Sequence, residues 1–119
     1  MKAIFPTISG HLLALSVLCL AAFPVAAQMD TEQFRRFRKD AESFDRKDPT
    51  ANAYRAGRYN GYLAGVLDTL RESRRVCFQD CMCEIDKLVD KHLADHPELT
   101  DRPAIEWLAP LMERSFPCK

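Results

Sequence analysis

Three glycines at a four-residue spacing constrain the middle of this chain more than any other feature. Gly57, Gly61 and Gly65 lie within the segment 54–70, YRAGRYNGYLAGVLDTL. At 3.6 residues per turn, this spacing places all three on one side of an α-helix. Each glycine costs a helix about 1 kcal/mol relative to alanine, so we interpret the stripe as a groove into which another helix packs. Apolar residues at helical spacing extend this helix to about Ser73: Tyr59, Leu63, Val66 and Leu70.

The polar residues of the same helix exclude one structure and suggest one pair to follow. A Gly-x3-Gly repeat also occurs in paired membrane helices, but Arg55, Arg58 and Asn60 would be costly inside a bilayer. We therefore predict a packing helix of a soluble protein, not a membrane-spanning one. Tyr62 and Asp68 are the polar pair of interest, and a hydrogen bond that orders the packing is favoured over catalysis. The expected helix-packing motif is thus Gly57, Gly61, Tyr62, Gly65 and Asp68.

The first 27 residues are typical of a cleaved secretory signal peptide. Lys2 gives a short positive start, residues 12–22 form an apolar run, and small residues at 25–27 precede a cut before Gln28. The run is shorter than the roughly 20 apolar residues that a spanning helix requires. We predict export to the periplasm, with Cys19 removed in the leader and no membrane association after cleavage.

Charge and length limit what the mature chain does. Lys2 is the only charged residue of the leader, and the whole chain has 17 basic and 17 acidic side chains. The mature protein is therefore almost neutral, which offers no attraction to nucleic acid or to an anionic membrane. Residues 28–119 are enough for one small domain and too few for two.

The segment 28–49 is expected to be a charged N-terminal helix or arm. Phe34, Phe37, Ala41 and Phe44 follow helical spacing among many charged residues. We favour a solvated helix or a frayed arm, because terminal segments are ordered only when they are tied down. The alternative is that the aromatic stripe covers the core or binds a partner. Pro49 separates this segment from a helical domain at 50–119, whose first helix Thr50 or Asn52 caps.

Two more amphipathic helices follow, and together with the segments above they predict an all-α fold. One helix is expected at 84–95 and ends before Pro97, and the other at 103–115 contains Pro110, which should kink it. Strand-like alternation of useful length is missing from the sequence. We predict a small, disulfide-stapled bundle of about four helices.

Four cysteines remain after the leader is removed, namely Cys77, Cys81, Cys83 and Cys118. An even number in a small exported domain indicates disulfides. Pairing Cys77 with Cys118 would force Cys81 onto Cys83 across a single residue, which we consider strained. We therefore expect a small local loop and a second bond that ties Cys118 to Cys81 or Cys83.

Metal binding and catalysis are the alternatives for these residues. Cys77, Cys81, His92 and His96 come near the Cys2His2 zinc spacing, but the spacing is off pattern and an oxidising compartment competes for the thiols. The sequence has no Gly-rich phosphate loop, no Gly-x-Ser-x-Gly and no His-Glu-x-x-His. We expect no metal, no cofactor and no enzymatic activity.

Four short motifs, in this order, resemble the Rap/Tai family of small exported immunity proteins from bacterial type VI secretion. They are NGYLAGVLD at 60–68, Val76-Cys77, His-Pro-Glu at 96–98, and Phe-Pro-Cys at 116–118. Family members are all-helical periplasmic proteins, and several bind and block a peptidoglycan amidase toxin. The resemblance implies that Gly61, Tyr62, Gly65 and Asp68 form the family's helix motif and that Cys77 and Cys118 are its later cysteines. Two features differ: Tyr59 replaces a frequent cysteine, and the loop 76–83 contains extra cysteines.

Two functions follow as expectations. The first is a non-enzymatic binding protein that neutralises a secreted peptidoglycan amidase, with the loops 74–82 and 96–102 as contact surfaces. The second is an envelope stress or chaperone-like helical protein without a toxin partner, which exposes apolar faces when His92 and His96 are protonated. The glycine stripe would also suit a second copy of the chain, so a homodimer is a further option.

Overall fold

The computed structural model describes residues 28–79 and 81–119, and the predicted signal peptide lies outside the described residues. The described part contains four helices, and no strand longer than an isolated bridge between Asp30 and Pro103. This confirms the all-α prediction. The helices are α1 (Thr31–Asp45), α2 (Ala53–Glu72), α3 (Met82–Asp95) and α4 (Ile105–Ser115). Within the same residues, no helix combines the length and apolarity needed to cross a membrane.

Local capping residues explain where the first two helices begin. The side chain of Asp30 accepts a hydrogen bond from the backbone N–H of Gln33 at 2.7 Å, and Asn52 does the same for Arg55 at 3.0 Å. The prediction that Asn52 caps α2 and that this helix ends near Ser73 is confirmed. Just beyond α2, Arg74 has a φ of 55°, in the left-handed region that commonly terminates helices.

Helix α1 is part of the core, so the favoured expectation of a solvated helix or frayed arm is wrong. Phe34 is completely buried, and its ring contacts Tyr59 and Trp107 with centroids 5.2 and 5.4 Å apart. Phe37 and Ala41 are buried on the same side, whereas Phe44 is exposed. The aromatic stripe therefore covers the core, which was the alternative interpretation of its helical spacing.

Backbone hydrogen bonds tie the start of α1 to the connection between α3 and α4. Thr31 donates its N–H to the carbonyl of Arg102 at 2.9 Å, and Ala104 donates to the carbonyl of Met29 at 2.9 Å. The buried Thr31 hydroxyl donates to the same Arg102 carbonyl at 2.7 Å and accepts from the Trp107 indole N–H at 2.9 Å. These bonds hold the N-terminal segment in place, which the sequence pattern of α1 does not reveal.

The last two helices agree with the predicted ones within two residues. Helix α3 begins at Met82 instead of residue 84, and α4 begins at Ile105 instead of residue 103. Helix α4 continues through Pro110. At the other end of α3, the guanidinium of Arg35 donates to the carbonyl of Leu93 at 2.9 Å and to that of Leu99 at 3.3 Å. Arg35 thereby satisfies a carbonyl that the end of a helix leaves unpaired.

The disulfides join Cys77 to Cys118 and Cys81 to Cys83, so the predicted pairing is wrong. The Cα atoms of Cys81 and Cys83 are 5.2 Å apart, which falls within the ordinary range for a disulfide. Cys77 lies beside Cys118 because its N–H donates to the carbonyl of Phe116 at 2.9 Å. The chain end does return close to the start of α3, but Cys118 bonds to Cys77, which precedes the predicted partners Cys81 and Cys83.

Candidate functional site

The glycine stripe of α2 faces outward. A methyl group added at Gly57, Gly61 or Gly65 would meet none of the described atoms of other elements within 4 Å. None of the other described helices therefore fills the stripe in the way that the expected packing groove requires. Helix α2 buries a different face, composed of Ala56, Tyr59, Leu63, Leu67 and Leu70. The large side chains of that face fill the core, and the glycines remain on the surface.

An open groove of about 500 Å³ runs along this stripe, between α2 and α4. Its floor is mainly apolar, and Arg75 at one edge forms an ion pair with Glu113. The groove is lined by Gly61, Tyr62, Gly65, Val66, Thr69, Leu70, Arg75, Ile105 and Ala109. A second, smaller hollow continues the stripe past Gly57 toward Met29. The groove has room for apolar side chains but offers few polar groups for chemistry.

Tyr62 and Asp68 do not form the expected pair. The carboxylate of Asp68 is 70% exposed and lies 3.6 Å from the guanidinium of Arg71. Tyr62 is half-buried, its ring and that of Phe34 pack in an edge arrangement with centroids 5.9 Å apart, and burial raises the pKa of its phenol. In the described part of the chain, no hydrogen bond joins Tyr62 to Asp68.

A different phenol–carboxylate pair lies in the core, and sequence reasoning missed it. The Tyr59 hydroxyl donates to Oδ1 of Asp86 at 2.6 Å, and Arg38 donates two bonds of 2.9 Å to the carboxylate of Asp90. The Arg38 guanidinium also lies 5.4 Å from the centre of the Tyr59 ring. Burial, followed by the bond to Asp86, raises the pKa of Tyr59 far above its ordinary value.

This group, Arg38, Tyr59, Asp86 and Asp90, joins α1, α2 and α3. Burial lowers the pKa of Arg38, but the bond to Asp90 and the electrostatic contributions of Tyr59 and Asp86 outweigh it, so the net change is upward. Tyr59 therefore remains protonated and Arg38 remains charged, which suits a structural link and not proton transfer. The i,i+4 spacing of Asp86 and Asp90 was a visible signal, but it indicated only a solvated helix face.

Two of the three histidines, His92 and His96, form a cluster with the single tryptophan. The His92 ring stacks on Trp107 with centroids 4.9 Å apart and planes at 18°, and the His96 ring lies 4.5 Å from His92. Nδ1 of His96 is 3.0 Å from a carboxylate oxygen of Glu98. Burial, then the charges of His96 and Arg114, lower the pKa of His92.

The alternative zinc set of cysteines and histidines is not brought together. Cys81 precedes the first turn of α3, while His92 lies in its last turn, so about 16 Å of helix separates them. Both cysteines of that set are bonded to other cysteines. Among the described residues, the one group with metal-ligand spacing is Cys81, Cys83 and Glu84, which is exposed and whose sulfurs form a disulfide.

A comparison with protein families identifies the family to which this chain belongs. A family model described as Rap1a immunity proteins matches residues 18–118. The chain belongs to the Rap1a immunity protein family. This confirms the suspected resemblance. Searches of curated proteins and of solved structures returned no match.

In this member of the Rap1a immunity protein family, the motifs that suggested the family lie in distinct places. Gly61 and Gly65 line the open groove, and Asp68 is also on the surface of α2. Cys77 and Cys118 are bonded to each other. The matched region includes α1. From the sequence, this helix was expected to lie outside the domain at 50–119. The buried face of α1 explains structurally why one unit contains all four described helices.

Proposed function

We propose that the mature chain is an exported, non-enzymatic immunity protein that binds and neutralises a peptidoglycan amidase delivered by type VI secretion. The observation that supports it is the match to the immunity family over residues 18–118. The leader expected at residues 1–27 would send the chain to the periplasm, where peptidoglycan is the substrate of such a toxin. Neutralisation is therefore expected in the cell envelope.

The pairing of polar groups supports binding over catalysis. Within residues 28–79 and 81–119, every buried side-chain nitrogen and oxygen has a hydrogen-bond partner. The most strongly perturbed group, Tyr59, is completely buried beside Asp86 and lines none of the described grooves. Catalytic groups with shifted pKa values normally face a cleft, and this one does not.

The rigid scaffold suits the presentation of loops to a partner. The Cys77–Cys118 bond ties the loop 74–82 to the end of the chain, and the loop 96–102 is hydrogen-bonded to the start of α1. Helix α3 is 14 residues long, so these loops lie about 20 Å apart at its two ends. We propose both as contact surfaces, with exposed Met82 at one end and exposed Asp101 at the other.

The test is whether the protein protects against a candidate peptidoglycan amidase, for example one encoded next to this gene. The mature protein and that amidase are purified and mixed, and binding is measured by calorimetry while peptidoglycan cleavage is followed in parallel. We expect a stable complex and loss of cleavage, and we expect cells that export the protein to survive periplasmic amidase. An absence of both binding and protection with every neighbouring or related amidase would contradict the proposal.

Surface variants then locate the contact. Met82→Asp tests the first loop and Asp101→Arg tests the second, while Asn60→Arg on the exposed side of α2 is the control. All three positions are exposed, so folding should be unaffected. A substitution at the centre of the interface should weaken binding at least about tenfold. If both loop variants bind like the control, the loops are wrong as contact surfaces, although amidase binding itself would stand.

A further inference from the structure

The two disulfides of this protein have different structural roles. The Cys77–Cys118 bond spans 41 residues and lies beside the Cys77–Phe116 backbone hydrogen bond and the Phe78–Phe116 ring contact, whose centroids are 4.8 Å apart. The Cys81–Cys83 bond spans 2 residues, and both of its cysteines are exposed. A bond that closes a long loop restrains the unfolded chain strongly, whereas one that spans two residues restrains it little.

This difference changes how easily each bond is reduced. Reduction of Cys77–Cys118 also gives up the stability that the bond confers on the fold, so the fold opposes it by linkage. Reduction of Cys81–Cys83 gives up little stability, so the fold does not oppose it comparably. Because both of its sulfurs belong to exposed residues, an external thiolate can approach them.

The position of the pair at the start of α3 favours exchange. Cys81 is the N-cap residue of α3, and among the described residues no side-chain cap satisfies the unpaired backbone N–H groups of the first turn. These groups and the helix dipole stabilise a thiolate at this end. Glu84, whose carboxylate lies within 4.8 Å of the sulfurs, opposes that effect, and Lys87 at 3.3 Å from Glu84 partly offsets its charge.

We propose that Cys81–Cys83 is a thiol–disulfide exchange site that oxidises exposed thiols of proteins or small molecules. A substrate thiolate attacks the Cys83 sulfur, an S–S bond to the substrate forms, the Cys81–Cys83 bond breaks, and Cys81 leaves as a thiolate. A second substrate thiolate then attacks the substrate sulfur of this mixed disulfide and releases Cys83. The substrate gains one disulfide, and its two electrons reduce Cys81 and Cys83 to thiolates, which are protonated by water. The exchange itself requires no toxin, although Cys81 lies within the loop 74–82 that is proposed to contact one.

The first experiment compares the two bonds within the same wild-type protein. The mature protein is equilibrated with glutathione buffers of increasing reducing strength, quenched with an alkylating reagent, and the four cysteines are read by peptide mass spectrometry. We expect Cys81 and Cys83 to be reduced in buffers on the order of tenfold or more weaker than those needed for Cys77 and Cys118, as the chain-entropy argument implies. Equal susceptibility of the two bonds, or earlier reduction of Cys77–Cys118, would overturn the proposal.

The second experiment identifies the thiol source and the residues. Reduced glutathione and a reduced peptide with two cysteines are each mixed with the oxidised wild-type protein, and formation of their disulfides is timed. The substrate that is oxidised faster shows whether the site prefers a small thiol or a protein thiol.

The double variant Cys81→Ser with Cys83→Ser retains the long-loop bond, and circular dichroism verifies its fold. We expect oxidation by this variant to fall at least about tenfold, since no redox pair remains at the helix end. Oxidation at the wild-type rate by the folded variant would exclude the site.

Discussion

Tyr59 shows how a single side chain can serve both the core and a polar link. Its ring is fully buried against Phe34, while its hydroxyl donates to the partly exposed Asp86. The substitution Tyr59→Phe preserves the packing and removes this charge-assisted bond. We expect it to lower the free energy of unfolding by about 1–2 kcal/mol.

Urea unfolding followed by circular dichroism measures this effect. Tyr54→Phe is the matched control, because Tyr54 is exposed and its hydroxyl contacts only the side chain of Arg58 in the described residues. A loss in Tyr54→Phe as large as that in Tyr59→Phe would show that the buried bond is not responsible.

The glycines of α2 are a second residue-scale case. Since a methyl group at Gly57, Gly61 or Gly65 meets no described atom of another element within 4 Å, alanine fits each position without a clash. Each substitution should raise the free energy of unfolding by about 0.5–1 kcal/mol, because alanine loses less backbone entropy in a helix. The reverse change Ala64→Gly, at an exposed position of the same helix, should destabilise by a similar amount. Destabilisation by the alanine variants would mean that the outward face has a packing role that this fold does not show.

His92 should make stability depend on pH. Its pKa is lowered in the folded protein, chiefly by burial and then by the charges of His96 and Arg114. The unfolded chain therefore binds the proton first as the pH falls. Stability from this group is complete above the ordinary histidine pKa of about 6.5 and is lost as the pH falls through that value to the folded pKa.

The measurement is the urea midpoint at pH 7.5 and at pH 5.5. His92→Phe removes the titrating group and retains an aromatic ring against Trp107. We expect a smaller pH-dependent change in the midpoint for this variant than for the wild type. The same change in both proteins would assign the pH dependence to groups other than His92, among them Asp95 and Glu98, whose pKa values are also lowered.

At the scale of the elements, α1 is the one whose role changed most between sequence and structure. Its helical spacing predicted a helix with an aromatic side, and Thr31–Asp45 is that helix. The same pattern did not reveal what the aromatic side contacts, since a stripe of this kind suits a core, a partner or a loosely attached arm. The decisive contacts are with Tyr59 and Trp107, which are distant in sequence.

Two phenylalanines of α1 provide a matched test of this role. Phe34 is fully buried and Phe44 is 52% exposed. We expect Phe34→Ala to cost about 3–5 kcal/mol, because it removes a large buried side chain and leaves a cavity. Phe44→Ala should change stability by no more than about 0.5 kcal/mol. Thermal unfolding, with Trp107 fluorescence as the probe of the core, distinguishes the two, and similar costs for both variants would contradict a core role for α1.

At the scale of the whole molecule, the Cys77–Cys118 bond joins the connection after α2 to the end of the chain. Its loop spans 41 residues, for which the chain-entropy argument gives about 4 kcal/mol. We expect the double variant Cys77→Ser with Cys118→Ser to lose most of this stability, which is a large share for a small domain. The corresponding change at Cys81 and Cys83 should cost much less. Chemical unfolding of both double variants measures the difference, and equal losses would show that loop length is not the deciding factor.

The cysteines and glycines show where sequence reasoning reached its limit. Composition and the expected export correctly predicted disulfides, but the choice among pairings required the position of Cys77 beside Phe116. The glycine spacing correctly predicted one helix face, but the direction of that face depends on which side the larger residues occupy. Tyr59 and Leu63 are completely buried, so the core lies on their side and the glycines face outward.

The sequence by itself determined the helices, their approximate ends, the presence of disulfides and the family. These depend on spacing, capping residues and composition, which act over a few residues or over the whole chain without reference to its path. Only the tertiary structure decided that α1 lies in the core, that Tyr59 pairs with Asp86, which cysteines are bonded, and that the glycine stripe is open. Each of these depends on contacts between residues far apart in the chain, and a local pattern is compatible with several such contacts.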